Sequence, residues 1–189
     1  RKEFDTPYIN GHDNRMTPNT FEAITLQGKA KLGEHGATLK YGIGYFSRIK
    51  ERNSEEFVPM SEDAGAEVDR GVFTAGALYQ SGDFSFGAID YYSPDIINIA
   101  YTEAKLGVPI TDKLKPTFAL QFTDQRSVGD DQLQGDSFSV QQVGFKTDLP
   151  VGNALFTAAY THNTDGADMR EPWSGYVGYT SSQVEDFIR

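Results

Sequence analysis

A loop near the start of the chain holds the residues whose chemistry is easiest to name. Residues 6–21 contain two prolines and the turn-forming pairs Asn10-Gly11 and Asp13-Asn14, which exclude regular structure. Arg15 lies near the centre of this loop. Its planar, permanently charged guanidinium can donate two parallel hydrogen bonds to a carboxylate. The loop therefore predicts either a site that engages small anions or an ordinary surface connection, and composition alone favours the connection.

Basic residues also recur at alternate positions in the next two segments. Ile24, Leu26, Ala30 and Leu32 alternate with Thr25, Gln27, Lys29 and Lys31. An apolar series from Ala37 to Ile49, broken only by Ser47, alternates with a polar series that carries Lys40, Arg48 and Lys50. This period of two predicts a hairpin with one apolar and one basic face. If the basic face borders water inside a pore, its side chains line a cationic wall. Alternatively, these residues lie at a rim and aid solubility. For Lys29 and Lys31 the rim and pore hypotheses are equally good, and for Arg48 and Lys50 the rim hypothesis is the better one.

The strands needed to position these residues are long, and they continue along the chain. Glycine, tyrosine and phenylalanine are abundant, with 19, 10 and 13 residues. Further strands are predicted at 70–79, 84–91, 96–106, 114–123, 138–149 and 154–160, with a bulge near Gln141-Gln142. Strands of about ten residues or more with sustained alternation are typical of transmembrane β-barrels, whereas soluble strands average about 5–6 residues. The pattern predicts an all-β antiparallel sheet of about eight strands in a single domain, 1–189.

Short turns mostly alternate with long polar connections, as in outer-membrane barrels. We expect 51–69, which is rich in acidic residues, and 124–137 to be external loops. The net charge of −10 argues against nucleic acid as a partner, and the absence of cysteine excludes disulfides and thiolate metal sites. No catalytic motif is present, so we expect no enzyme activity, no catalytic residue, no cofactor and no metal.

The opening loop resembles a family signature. The segment Asn-Gly-His-Asp-Asn-Arg-Met-Thr-Pro-Asn-Thr-Phe-Glu at 10–22 resembles that of the OprD family of substrate-specific outer-membrane porins, and 90–105, 129–135 and 186–187 are similar in order and spacing. The resemblance implies a monomeric 18-stranded barrel in the bacterial outer membrane, of which this chain is the central portion.

The resemblance also implies a role for the loop and a class of solute. Residues 5–21 would fold into the lumen and narrow the pore, with Arg15, Asn14 and Asp13 at the constriction. Lys29, Lys31, Lys40, Arg48 and Lys50 would line the pore. The channel would pass small carboxylates or amino acids by passive diffusion, and its partners would be small anionic or zwitterionic solutes, outer-membrane lipid and lipopolysaccharide.

Two other classes of protein remain open from the sequence. One is a self-contained eight-stranded outer-membrane barrel that serves as an anchor or modifies lipids. The other is a soluble β-rich binding module. The exposure of Ile24, Leu39, Tyr41 and Ile43 separates the membrane hypotheses from the soluble one, since these side chains must face lipid in the first two and a dry core in the third.

Overall fold

A computed structural model describes residues 2–11, 17–33, 36–111, 114–175 and 178–180. Within them, nine antiparallel strands form one sheet: β1 (Thr20–Leu32), β2 (Ala37–Lys50), β3 (Val58–Pro59), β4 (Val72–Ser81), β5 (Phe84–Ser93), β6 (Ile97–Gly107), β7 (Thr117–Arg126), β8 (Ser139–Val151) and β9 (Ala154–Asn163). A short helix, α1 (Met60–Asp63), follows β3, and a single 3-10 turn covers Pro172–Ser174. No helix in these ranges is long and apolar enough to cross a membrane.

The long strands follow one another in chain order as a meander. The order is β1-β2-β4-β5-β6-β7-β8-β9, and the two-residue β3 pairs with the end of β2. Apart from β3, the strands have 10 to 14 residues, enough to cross a bilayer at a tilt. Within the described residues β1 pairs only with β2 and β9 only with β8, so the sheet is open. The predicted all-β class and the number of long strands are confirmed.

One face of the sheet, the bare face, exposes large apolar side chains. Ile24, Leu26 and Ile43 are 80%, 71% and 59% exposed, and Tyr41 is 52% exposed. Similar side chains continue across the sheet as far as Phe156 and Tyr160 in β9. The predicted apolar face of the first hairpin therefore does not pack into a core, which is the outcome expected for strands that face lipid.

The opposite face, the covered face, carries the core at one end of the sheet. Three covering segments lie on it: residues 2–11, α1 with the residues after it, and 172–175. Between them and the strands the following side chains are buried: Tyr8, Ile9, Phe21, Phe46, Ile49, Met60, Ala66, Val72, Tyr91, Ile96, Ile97, Ile99, Tyr101 and Trp173. The alternation of β6 did not reveal its apolar face, because Ile97 and Ile99 pack under these segments while Leu106 is exposed on the bare face.

A β-bulge in β2 contradicts one prediction about the basic residues. Ala23 pairs with Phe46, but Glu22 pairs with Arg48, so Ser47 is an extra residue in β2. An extra residue reverses the alternation beyond it. Arg48 and Lys50 therefore lie on the bare face, not on the face of Lys40, and their predicted place in the pore lining is wrong.

Two smaller predictions also differ from the structure. No bulge occurs near Gln141-Gln142, because the pairings of β8 with β7 and with β9 are continuous there. Residues 51–69 are not wholly irregular, since they contain β3 and α1, and 124–126 complete β7 and do not begin the following loop.

The apolar belt on the bare face crosses the sheet diagonally. Ile24 is the first exposed apolar residue of β1, and the successive paired residues across the sheet connect it to Ser139 in β8. The first exposed apolar residue of β8 is Val143, four residues further along that strand. Four residues correspond to about 13 Å along a strand, and six strand spacings to about 29 Å. The strands are thus tilted by about 25° from the normal to the belt, in the sense of a barrel wall but by less than the roughly 35–45° usual there.

Candidate pore-lining surface

The two lysines of β1 and the first basic residue of β2 share the covered face. Lys29 lies directly across from Lys40, and Lys31 lies across from Thr38. Cβ atoms of directly opposed residues are about 5 Å apart, and like charges placed there repel. None of these three lysines forms an ion pair with a described residue. The structure therefore brings three of the five predicted basic residues together.

The pairing register adds two lysines that the sequence analysis missed. One row across the sheet runs along Lys31, Thr38, Gln80, Ser85, Lys105, Ala119, Lys146 and Ala159. Lys105 Nζ lies 3.7 Å from Glu103 Oε1, and Lys146 Nζ lies 3.5 Å from Asp148 Oδ2. Lys105 could be placed only with the register of β6, whose alternation is weak. These two lysines are partly neutralised, so the net positive charge is greatest at β1 and β2.

A cleft of about 550 Å³ lies on the covered face at the lysine pair. Its walls are the segment Phe4 to Thr6 on one side and β1, β2, β4 and β5 on the other. Gly42 and Gly76 lie in its lining. Its lining includes Thr25, Gln27, Lys29, Lys40, Thr74 and Asp5. The cleft thus joins two ammonium groups to one carboxylate and several neutral polar groups.

Tyr8 fastens the first covering segment to the sheet. Its hydroxyl accepts a hydrogen bond from Gln125 Nε2 at 3.1 Å, and its backbone N–H donates to the Tyr91 hydroxyl at 3.2 Å. The two tyrosine rings meet edge to face, with centroids 5.6 Å apart. Burial raises the pKa of Tyr8 well above its usual value, so the phenol stays neutral. The loop that carries Arg15 is therefore fixed to the covered face at its start.

Trp173 fastens the other two covering segments to each other. Its backbone N–H donates to Asp63 Oδ2 at 3.0 Å, and its indole Nε1–H donates to the Met60 carbonyl at 2.7 Å. Trp173 has a φ of 59°, which is unusual for a bulky residue, and these bonds hold it there. Burial raises the pKa of Asp63 to about 6, although the Trp173 N–H opposes the shift. Asp63 therefore takes up a proton at a higher pH than an ordinary aspartate.

A strip of buried polar side chains separates the apolar core from the lysine row. The Tyr179 hydroxyl donates to Glu103 Oε1 at 2.6 Å, and Gln142 Nε2 donates to Asn163 at 2.8 Å. Gly144 allows the Tyr179 ring to approach β8, because a Cβ at this position would lie 3.1 Å from Tyr179 Cδ2. The covered face is therefore not polar throughout: it is apolar at the end of the sheet where β2 and β7 end, and polar and basic toward the other end.

The remaining predicted site residues fall elsewhere. Asp13, Asn14 and Arg15 lie outside the described residues. Arg48 is on the bare face, where its Nη1 donates to the Phe57 carbonyl at 3.3 Å and its Nη2 lies 3.5 Å from Asp69. Among the residues that the structure describes, no group of three or more acidic or histidine side chains could hold a metal ion.

Comparison with known proteins identifies the fold. No family model and no curated protein matches the chain. Among solved structures, OccAB1 of Acinetobacter baumannii aligns with a TM-score of 0.77 at 14% identity, over 97% of this chain and 47% of its own. OpdK of Pseudomonas aeruginosa, solved with vanillate, aligns with a TM-score of 0.75 at 17% identity, over 92% of this chain and 45% of its own. OccK2 of the same organism, solved with glucuronate, aligns with a TM-score of 0.72 at 19% identity, over 86% and 43%.

These structures are outer-membrane porins of the OprD/Occ type. The chain therefore has the fold of part of an OprD-type β-barrel, as the resemblance of its opening loop implied. It spans less than half the length of the solved chains it matches. Its covered face corresponds to the inside of such a barrel, because the apolar face of a membrane barrel points outward.

Proposed function

We propose that this chain forms part of the wall of a passive, substrate-selective diffusion channel in the bacterial outer membrane, which passes small carboxylates or amino acids. The observation that carries the proposal is the opposed pair Lys29 and Lys40. Like charges on directly opposed residues repel each other, and neither lysine has an ion pair with a described residue. An anion in the cleft relieves that repulsion, so the pair attracts a solute carboxylate.

The cleft also suits a zwitterion. Asp5 lines the same cleft, and its Oδ1 accepts a hydrogen bond from Asn10 Nδ2 at 3.0 Å. The carboxylate of an amino acid would lie at the lysine pair and its ammonium toward Asp5. Two of the similar structures hold carboxylates, vanillate in OpdK and glucuronate in OccK2. We extend that chemistry to this chain on the basis of its own lysine pair.

The lysine row favours conduction over tight binding. Lys105 is four strands from Lys31, about 19 Å, and Lys146 is two strands farther, about 10 Å. A solute therefore finds several basic groups in succession, two of which are already shared with carboxylates and bind weakly. Conduction requires sites that are favourable enough to enter and weak enough to leave. Arg15, Asn14 and Asp13 complete the proposal at the constriction, on the loop that Tyr8 fastens.

The exposed apolar belt supports the membrane location and disfavours a soluble binding module. A belt that runs continuously from Ile24 to Tyr160 far exceeds the apolar patches of soluble monomers. The open edges of β1 and β9 disfavour a self-contained eight-stranded barrel, because unpaired backbone groups cannot face hydrocarbon. We propose that further strands close a monomeric barrel, and that the protein is a channel and not an enzyme.

The test is ion selectivity in planar bilayers, measured on the full-length barrel that contains this chain. Lys29→Gln combined with Lys40→Gln should shift the reversal potential toward cation selectivity and weaken the block by small carboxylates. The control is Lys115→Gln, which removes one charge from an exposed lysine outside the strands that pairs with Asp83. A double variant that keeps the reversal potential and carboxylate block of the control would exclude the lysine pair from the pathway.

A further inference from the structure

Three cations lie on the bare face just beyond the external edge of the apolar belt. Arg48 and Lys50 follow Tyr45, the last exposed apolar residue of β2, and Arg126 ends β7 beyond Phe122. We propose that this external ledge (Arg48, Lys50 and Arg126) binds the phosphate-bearing headgroups of lipids in the outer leaflet. The inference rests on the proposed membrane orientation but concerns the outside of the barrel, not its pathway.

The β-bulge at Ser47 determines on which face of the sheet Arg48 and Lys50 lie. If β2 continued through Ser47 without a bulge, Arg48 and Lys50 would continue the face of Lys40 and point toward the pore. With it, Arg48 pairs with Glu22 and Lys50 with Thr20, residues on the same face as Ile24. The bulge thus moves two cations from the aqueous side of the wall to the lipid side. A basic side chain directed at lipid is costly in hydrocarbon, so its position along the strand decides its role.

The distance of the three cations from the apolar belt decides which layer of the membrane they reach. Arg48 is the first bare-face residue past the bulge, about 7 Å beyond Tyr45, and Lys50 and Arg126 lie about 13 Å beyond the belt residues of their strands. The headgroup layer extends about 5–8 Å past the hydrocarbon. Strand tilt shortens these distances along the membrane normal, and long basic side chains can reach back toward the interface. All three cations therefore reach the layer that contains lipid phosphates.

Aromatic side chains support this placement of the interface. Tyr45, Phe73 and Tyr92 are neighbours in one pairing row on the bare face, and each is about half exposed. The rings of Tyr45 and Phe73 are in contact, with centroids 4.8 Å apart. Aromatic residues concentrate where hydrocarbon meets headgroups. The row marks that boundary next to the ledge.

Asp124 and Gln141 hold the Arg126 side chain in place. Its Nε donates to Asp124 Oδ1 at 2.7 Å, and Asp124 Oδ2 accepts from Gln141 Nε2 at 2.9 Å. Asp124 is buried, whereas the Arg126 side chain is 56% exposed. Asp124 thus fixes one edge of the guanidinium and leaves its other donors toward the headgroups. A guanidinium held in this way can donate to two oxygens of one phosphate.

Arg48 is held less firmly. Its partner Asp69 is 70% exposed at 3.5 Å, and exposed pairs of this kind contribute little to stability. Glu22 lies directly across from it and moderates the local charge. A phosphate can therefore replace Asp69 at small cost, while Lys50 adds a second cation on the same strand. The shared chemistry is a phosphate group, presented either by a lipid headgroup or as free phosphate.

The experiment is native mass spectrometry of the full-length barrel in non-ionic detergent, titrated separately with bisphosphorylated lipid A, dephosphorylated lipid A and inorganic phosphate. The ledge variant is Arg48→Gln, Lys50→Gln and Arg126→Gln. The matched control, Lys29→Gln, Lys31→Gln and Lys40→Gln, removes the same charge from the covered face. We expect bisphosphorylated lipid A to bind the ledge variant more weakly, by about fivefold for each cation removed, and to bind the control as it binds the wild type.

Three results would overturn the inference: equal binding of the two lipid A forms, equal loss in both variants, or binding of inorganic phosphate as strong as that of the lipid. The single variants Lys50→Gln and Arg126→Gln provide the same comparison if the triple variant does not fold. Reversal potentials in bilayers distinguish the two proposals. If the ledge variant keeps wild-type selectivity and wild-type lipid binding, only the proposal of lipid binding at the ledge is refuted. A ledge variant that shifts selectivity as much as the covered-face control refutes the assigned sidedness, and with it both proposals.

Discussion

Replacing Tyr91 by phenylalanine tests how the first covering segment is held on the wall. Tyr91 is fully buried, and its hydroxyl accepts the hydrogen bond of the Tyr8 backbone N–H at 3.2 Å. Phenylalanine keeps the ring contacts with Tyr8 and Trp173 but leaves that N–H without an acceptor. A buried donor left unsatisfied costs about 1–3 kcal/mol. The bond is at the long end of the usual range, so we expect about 1.4 kcal/mol, or a tenfold increase in opening of the segment.

The assay is hydrogen exchange of the peptide that covers residues 8–10, measured in the full-length protein in detergent. The adjacent Tyr92→Phe is a close control, because Tyr92 is on the bare face, is 41% exposed, and forms no side-chain hydrogen bond with a described residue. Tyr91→Phe should lower protection of residues 8–10 about tenfold, and Tyr92→Phe should leave it unchanged. A difference of less than twofold between the two variants would show that the Tyr91 hydroxyl does not hold the segment, and that ring packing alone does.

Two further predictions concern the other covering segments. Gly175→Ala places a methyl group 2.5 Å from Tyr8 Cδ1, so it should increase hydrogen exchange at residues 8–10. Gly11→Ala is the control, because its methyl group would lie 3.7 Å from the nearest neighbouring atom and should not increase exchange. Equal exchange in both variants would refute this steric role of Gly175. The folded-state pKa of Asp63, about 6, is raised above the unfolded value, so docking of Trp173 should be tightest below about pH 4 and weaken as the pH rises through 6. Fluorine NMR of fluorinated Trp173 should show this change, Asp63→Asn should abolish it, and a change that persists in that variant would assign it to another group.

The sequence predicted the fold well where a single rule governs the side chains. In β1, every second residue from Ile24 to Leu32 lies on the bare face, where no covering segment packs, so the period of two is visible. In β6 the rule fails, because Ile97 and Ile99 are apolar on the covered face, where they pack under a covering segment, while Leu106 is apolar on the bare face. A strand with apolar residues on both faces has no visible period, although it forms the same ladder.

The site was predicted less completely for a related reason. Lys29, Lys31 and Lys40 were placed together because they occur in one hairpin, whose register is fixed by its turn. Lys105 and Lys146 join the same row only through pairings that cross several strands, and no local pattern contains that register. The covering segments could not be predicted either, since the bonds of Trp173 and Gln125 connect residues 45 to 117 positions apart.

The single inserted residue at Ser47 has the largest consequence for function. If β2 were regular, all five cations of this hairpin would lie on the covered face and none on the bare face. The bulge divides them, so that Lys29, Lys31 and Lys40 lie on the covered face while Arg48 and Lys50 lie on the bare face. The same bulge turns Ile49 into the core beside Phe21 and Met60, which anchors the covering segments. A regular β2 that kept Ser47 in the ladder would exchange the environments of Ile49 and Arg48, whereas deletion of Ser47 would leave both on their present faces. The burial of Ile49 makes the bulged register the stable one.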